Sequence, residues 1–166
     1  MNQAQLAPQR SNASVVKPML LSHGTLMCKD LAKSRRFYEE FLGLEVVRPA
    51  RPAMYLRLKT GMYVVAVCIG ENVPKQHVLT HWGLNVASRA EVDKAHADAV
   101  RLKDVYGIQK INKVLERHGA YGFYFQDLDN NWWEIQHEPR TIDDFFNRGD
   151  VFDMSVQEID TEASHE

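Results

Sequence analysis

The chain has 166 residues, 45% of them apolar and 25% charged, an ordinary composition for one globular domain with a sizeable core. With 20 Lys plus Arg against 22 Asp plus Glu the formal charge is −2, and no basic run stands out, which argues against a nucleic-acid partner. No apolar stretch approaches the ~20 residues of a membrane helix and no basic-then-apolar leader opens the chain, so the expectation is a soluble cytoplasmic protein with no membrane partner.

Residues 1–17, "MNQAQLAPQRSNASVVK", are polar and aperiodic and read as a flexible N-terminal tail. "PMLLSHGTLMC" reads as a strand. "DLAKSRRFYEEFLGL" reads as a helix with Asp30 as N-cap, Leu31, Ser34, Tyr38, Phe41 and Leu42 near one face, and Gly43 ending it. "AMYLRLKT" and "MYVVAVCIG" follow as two strands joined at Thr60-Gly61. Cys28 and Cys68 form no Cys-x-x-Cys motif and read as small apolar fillers in a reducing compartment.

The same order then repeats. "THWGLNVAS" is a strand. "SRAEVDKAHADAVRLKDVYG" is a helix opened by the capping box Ser88-x-x-Glu91 and closed at Gly107. "INKVLERH", residues 119–127 and "NWWEIQH" supply three more strands. The repeat length, His23 to His81, is 58 residues. These signals predict an α+β fold in which two β-α-β-β-β modules, about 18–72 and 78–138, form a cupped mixed sheet with helices on the outside. Residues 139–166 then make a C-terminal arm and acidic tail. In that arm Ile142, Phe145 and Phe146 predict a short amphipathic helix seeking burial.

Each module begins with a histidine near the start of its first strand, His23 in "LSHGTL" and His81 in "LTHWGL". Strand alternation puts His81 on one face with Gly83 and Asn85, while Trp82, Leu84 and Val86 take the other, which belongs on the helix. On the last strand Glu134 lies between Trp133 and Ile135 and turns inward with Trp132 and Gln136. A buried carboxylate costs several kcal/mol unless paired or metal-bound. Two imidazoles and one carboxylate on one face match a divalent transition metal with three positions left for substrate and dioxygen or water. Taken singly, each has an ordinary explanation: a histidine satisfied by one backbone partner, a glutamate in solvent. His77 and His81 also have the i,i+4 spacing of a helical zinc site, but the glutamate after the first is missing and the second starts a strand.

At these residues the sequence resembles the vicinal oxygen chelate superfamily, which includes glyoxalase I, methylmalonyl-CoA epimerase, extradiol ring-cleaving dioxygenases, fosfomycin-modifying thiol transferases and metal-free bleomycin-binding proteins. "HGTLMCKDLAKSRRFYEEFLGLEVV" has that family's His, then Asp-Leu, Ser, Phe-Tyr and Leu-Gly-Leu, and "FYFQDLDNNWWEIQ" is similar to its closing hairpin ending in the metal-binding glutamate. The usual Asp-Pro-Asp-Gly turn is replaced by Asp127-Leu128-Asp129-Asn130, and Asn130 in a left-handed conformation would preserve the hairpin.

The resemblance implies metal ligands His23, His81 and Glu134. The fourth ligand of glyoxalase I is missing from "MYVVAVCIG", leaving the three-ligand form of the ring-cleaving dioxygenases and fosfomycin enzymes. Tyr124, ten residues before Glu134, shares its face across a hairpin and fits a proton-transfer role or a packing aromatic, and His118 is a second acid/base candidate or an exposed loop residue. Trp132 and Asn85 are expected against substrate. The reading is an extradiol-type dioxygenase with Fe(II), working on an aromatic substrate as a homodimer or higher homo-oligomer. The alternatives are a lyase or thiol transferase with Mn(II), Zn(II) or Ni(II), and a metal-free protein that sequesters a planar aromatic compound. The modules pair within one chain or swap between two.

Overall fold

The computed structural model describes residues 14–59 and 61–151, and it forms two compact units. The larger, Pro18–Glu138, carries both modules. Most of the N-terminal tail and of the acidic C-terminal end, and Thr60 of the expected turn, lie outside the described residues.

The first module runs β1 (His23–Cys28), α1 (Leu31–Arg36), β2 (Glu45–Ala50), β3 (Ala53–Arg57) and β4 (Tyr63–Cys68). The Asp30 carboxylate caps α1 by accepting from Ala32 N at 2.8 Å and Lys33 N at 3.0 Å. Beyond Arg36 the helix widens into a π-helical turn, Phe37–Phe41, which puts Phe37 and Tyr38 fully inside the core. The strand order β1-β4-β3-β2 pairs β1 with β4 in parallel and the rest antiparallel.

The second module runs β5 (His81–Asn85), α2 (Arg89–Arg101), α3 (Lys103–Tyr106), β6 (Lys110–Ile111), β7 (Leu115–Arg117), β8 (Ala120–Gln126) and β9 (Trp132–His137). Ser88 Oγ accepts from Glu91 N, and Glu91 returns its carboxylate to Ala87 N, one residue earlier than a standard capping box. Gly107, with φ of 68°, closes α3 in the left-handed conformation. The segment read as one strand, "INKVLERH", is two. Lys110 pairs with Gln126 and Ile111 with Phe125, but Leu115 faces Gly122, so one extra residue is accommodated as a bulge between them.

The strands form two sheets, β1-β4-β3-β2 and β5-β9-β8-β6 with β7 on β8, and β1 and β5 are not hydrogen-bonded to each other. Their inner faces, with both helices, share one core: Leu26, Cys28, Met54 and Leu56 from the first sheet, Phe123, Phe125, Trp133 and Ile135 from the second, Phe37 and Tyr38 between. The Tyr38 and Trp133 rings lie 5.9 Å apart and Phe41 stands edge-on to Phe125 at 5.8 Å. Burial pushes the Cys28 thiol up to about 12, so it stays protonated, as a filler should.

The β8–β9 hairpin latches the modules together. Asn130 adopts a φ of 69°, as the turn requires of a residue replacing glycine. Asp127, fully buried, accepts from Asp129 N, Asn131 N and Trp133 Nε1 at 2.8–2.9 Å. Asp129 then accepts Lys29 N and Ser34 Oγ from the first module, and Asn131 Nδ2 donates to Met27 O.

In the smaller unit α4 (Ile142–Arg148) is opened by a Thr141/Asp144 capping box, with the Arg140 guanidinium over the Phe145 ring at 4.5 Å. The expected helix is present, but Ile142, Phe145 and Phe146 remain exposed rather than buried. No helix among the described residues is long and apolar enough to cross a membrane.

Candidate metal centre

Trp133 and Ile135 face the core, so alternation turns Trp132, Glu134 and Gln136 to the outer face of the second sheet. His81 starts the adjacent strand in register with Trp132, and its Nε2 lies 3.3 Å from Glu134 Oε2. The pair is neither sealed nor fully wet, with side-chain exposures of 25% and 17%. His81 Nδ1 is 2.8 Å from Val78 O. A carbonyl only accepts, so Nδ1 carries a proton there and Nε2 is the nitrogen turned toward the carboxylate. Two electron-rich atoms at that distance attract each other only with a proton or cation between them. Donors held at roughly 2 Å by one first-row ion stand about 3 Å apart, so the pair fits such an ion, and the carbonyl behind the imidazole is the support that metal-bound histidines use.

Tyr124 stands directly opposite Glu134 on β8, as the even interval predicts, so its phenol lies beside that carboxylate. Burial first, then the neighbouring Glu134 carboxylate, pushes the phenol up to about 12. Its ring meets His81 edge-on at 4.9 Å.

His23 is elsewhere. It lies on the outer face of the first sheet, stacked on Tyr63 at 5.3 Å with its Nδ1 2.9 Å from Ser22 Oγ. Among the described residues no three His, Cys, Asp or Glu side chains come together to hold a metal. One chain therefore brings together two of the three expected ligands and Tyr124.

The other three expected residues have surroundings that only the fold defines. Asn85 donates one amide N–H to Glu138 O at 3.1 Å and accepts from Glu138 N at 2.7 Å, so its amide closes the strand end. Trp132 is on the Glu134 face but only 6% exposed, its Nε1 donating to Gln76 O at 2.9 Å, so the segment before β5 covers it. His118 occupies the β7–β8 turn with φ of 51°. Ala120, where β8 begins, is about 13 Å along the strand from Tyr124, so the His118 backbone stands near the opposite end of β8.

Two cations escaped the sequence reading. Lys110, in register with Gln126, lies on the centre's face with its Nζ 5.9 Å from the Trp132 ring centroid. Arg117, brought to the same face by the bulge, is near enough to pull the Tyr124 phenol back down. No periodicity marks them, because the face of Lys110 depends on its pairing with Gln126 and that of Arg117 on the extra residue.

The model of the Glyoxalase/Bleomycin resistance protein/Dioxygenase superfamily matches residues 20–135. The chain belongs to that superfamily. Its β-α-β-β-β modules are thus those of vicinal oxygen chelate proteins. The genomically encoded fosfomycin resistance protein FosX from Listeria monocytogenes is similar at 25% identity with a TM-score of 0.56, covering 77% of this chain and 96% of that one. A second structure of FosX, complexed with Mn(II) and sulfate, gives 21% identity and a TM-score of 0.59 over 80% and 96%. A glyoxalase-related enzyme from Fulvimarina pelagi gives 21% and 0.60 over 74% and 90%. The last two comparisons speak to the fold alone. No curated protein sequence matches the chain.

Proposed function

We propose that this superfamily member is a metal-dependent enzyme of the fosfomycin-resistance and glyoxalase type, acting without redox change on a small anionic molecule that offers two neighbouring oxygens. The observation that carries this is the His81–Glu134 pair at 3.3 Å with its imidazole backed by Val78 O and its carboxylate facing Tyr124 across the β8–β9 pair. A divalent ion such as the Mn(II) of the FosX complex would act as a Lewis acid for the substrate oxygens. The chain's own groups do the rest. Val78 O fixes which imidazole nitrogen faces the centre. Tyr124 keeps a proton at Oη for a substrate oxygen. Lys110 and Arg117 offer charge to an anionic substituent.

The third ligand in this reading is His23 of a second copy. Gly24, Leu26 and Cys28 of β1 face the shared core, leaving His23 outward beside Tyr63, available to another chain. A homodimer with two shared centres follows.

Titration with Mn(II), together with a measurement of molar mass, tests the proposal. The expected result is one ion per chain in a dimer, lost in His81→Ala, Glu134→Gln and His23→Ala. A monomer that binds no Mn(II), Zn(II), Ni(II) or Fe(II) would leave sequestration as the better account.

One observation favours a second reading, the Fe(II) ring-cleaving dioxygenase. His23, Tyr63 and Tyr55 stack in a ladder at 5.3 and 5.1 Å beside a hollow of about 350 Å³, a surface suited to a planar substrate. Oxygen uptake with catechols set against turnover of fosfomycin with water or thiol separates the two readings.

A further inference from the structure

Most interior strand glycines here have a steric reason. A Cβ on Gly122 would lie 2.7 Å from Ile135 O and 2.9 Å from Gln136 Cβ, and one on Gly24 would collide with the Trp82 ring. Gly83 has no such reason. It stands in the middle of β5, exposed, without a positive φ, and a Cβ there would meet only Glu134 Oε2 at an ordinary 3.8 Å. A glycine inside a strand weakens it and has no side chain to pack, and such positions often mark the close approach of a ligand.

Its place supplies the missing reason. Gly83 is in register with Glu134, between His81 and Asn85 on the same face of β5. On one side the row is closed by Trp132, buried under Gln76. On the other the Asn85 amide is tied to Glu138. Bare backbone beside the candidate ligand pair lies at Gly83.

Resting on the metal-dependent reading above, we infer that Gly83 is the specificity-determining position of the centre. The carbon body of a two-oxygen chelating ligand lies against β5 at this residue, and the missing side chain sets the bulk that is accepted. Gly83→Ala and Gly83→Val therefore leave the metal-free fold and the metal alone undisturbed but exclude bulky ligands in order of size.

The test uses Mn(II) alone, then oxalate as a small two-oxygen probe and 4-nitrocatechol as a bulky one, followed by calorimetry and the catechol absorbance. We expect an unchanged or higher thermal midpoint for the metal-free variants and Mn(II) affinity within about twofold of wild type. Binding of 4-nitrocatechol should weaken about tenfold in Gly83→Ala and further in Gly83→Val, with oxalate much less affected. Wild-type-like binding of 4-nitrocatechol by Gly83→Val overturns the inference while leaving the metal centre intact. Loss of Mn(II) in both variants also overturns it, because the glycine would then serve the placement of Glu134. Failure of the wild-type chain to bind Mn(II) at all defeats the metal-dependent reading itself, and this inference with it.

Discussion

Trp82 points the tip of its indole straight at the backbone of Gly24: an added Cβ would stand 1.9 Å from Cη2 and 2.9 Å from both Cζ2 and Cζ3. The two residues meet on the core side of β5 and β1. Their strand neighbours His81 and His23 consequently face outward, each from its own sheet. The contact that seats one module on the other thus keeps the two imidazoles of a chain in different surroundings.

Gly24→Ala should be destabilising, by about 1–3 kcal/mol as for other overpacked core sites. The midpoint of urea unfolding measures it. Adding Trp82→Leu, which vacates the space, should restore part of the loss. If Gly24→Ala unfolds at the wild-type urea concentration, the close approach is not a real constraint.

A shared centre has a signature in mixed dimers. His23→Ala and Glu134→Gln each inactivate alone, but refolded together in equal amounts they should regain about a quarter of the wild-type sites, because half of the dimers then carry one intact centre of their two. Metal content and turnover of the mixture both report it. A mixture as silent as its components would mean that His23 does not complete the pair on another chain.

Tyr124, held up to about 12 by burial and Glu134, keeps its proton through the physiological range. The folded chain binds this proton more tightly than the unfolded one, so the stabilisation is complete below about pH 10 and is lost as pH rises toward 12. In an ultraviolet titration of the phenolates, Tyr124→Phe should remove a late-titrating group. It should also lower turnover about 100-fold or more if the hydroxyl transfers a proton, with metal affinity nearly unchanged.

Asp127 has the same sign in a different window. Burial lifts its carboxyl from the ordinary value of 3.8 to about 7, against the pull of its N–H donors. Between those values the folded chain holds an additional proton, so stability is greatest below the window and falls, by a few kcal/mol at most, as pH rises through 7. Denaturant midpoints at pH 5 and pH 8 should differ accordingly, and Asp127→Asn should flatten the difference. A flat wild-type profile would mean that the donors to its carboxylate outweigh its burial.

Asn85 gives a contrasting outcome. With its amide committed to Glu138, Asn85→Ala should cost about 1–2 kcal/mol of stability and leave metal and chelator affinities alone. A variant of normal stability that binds chelators poorly would return Asn85 to the substrate.

The parts legible from the sequence are those governed by local rules. Period-two alternation told which face of β5 carries His81 and which face of β9 carries Glu134. An even interval across a hairpin put Tyr124 opposite Glu134, and it held because the turn is rebuilt around Asn130 in the one conformation that glycine would otherwise supply. Repetition of the His-bearing first strand announced two modules. Local rules stop where a side chain's surroundings depend on distant backbone. The amide of Asn85 is claimed by a residue 53 positions away, and the Trp132 nitrogen by one 56 positions away.

By itself, then, the sequence determined the modules, most of their strands and which neighbours share a face with each candidate ligand, because backbone geometry and turn chemistry act over a few residues. Only the tertiary structure decided that the strands divide into two sheets, that His81 and Glu134 meet while His23 stands apart, and that Lys110 and Arg117 share the centre's face. Those outcomes depend on how two apolar faces pack and where a bulge shifts the register, and packing between residues far apart in the chain leaves no period to read.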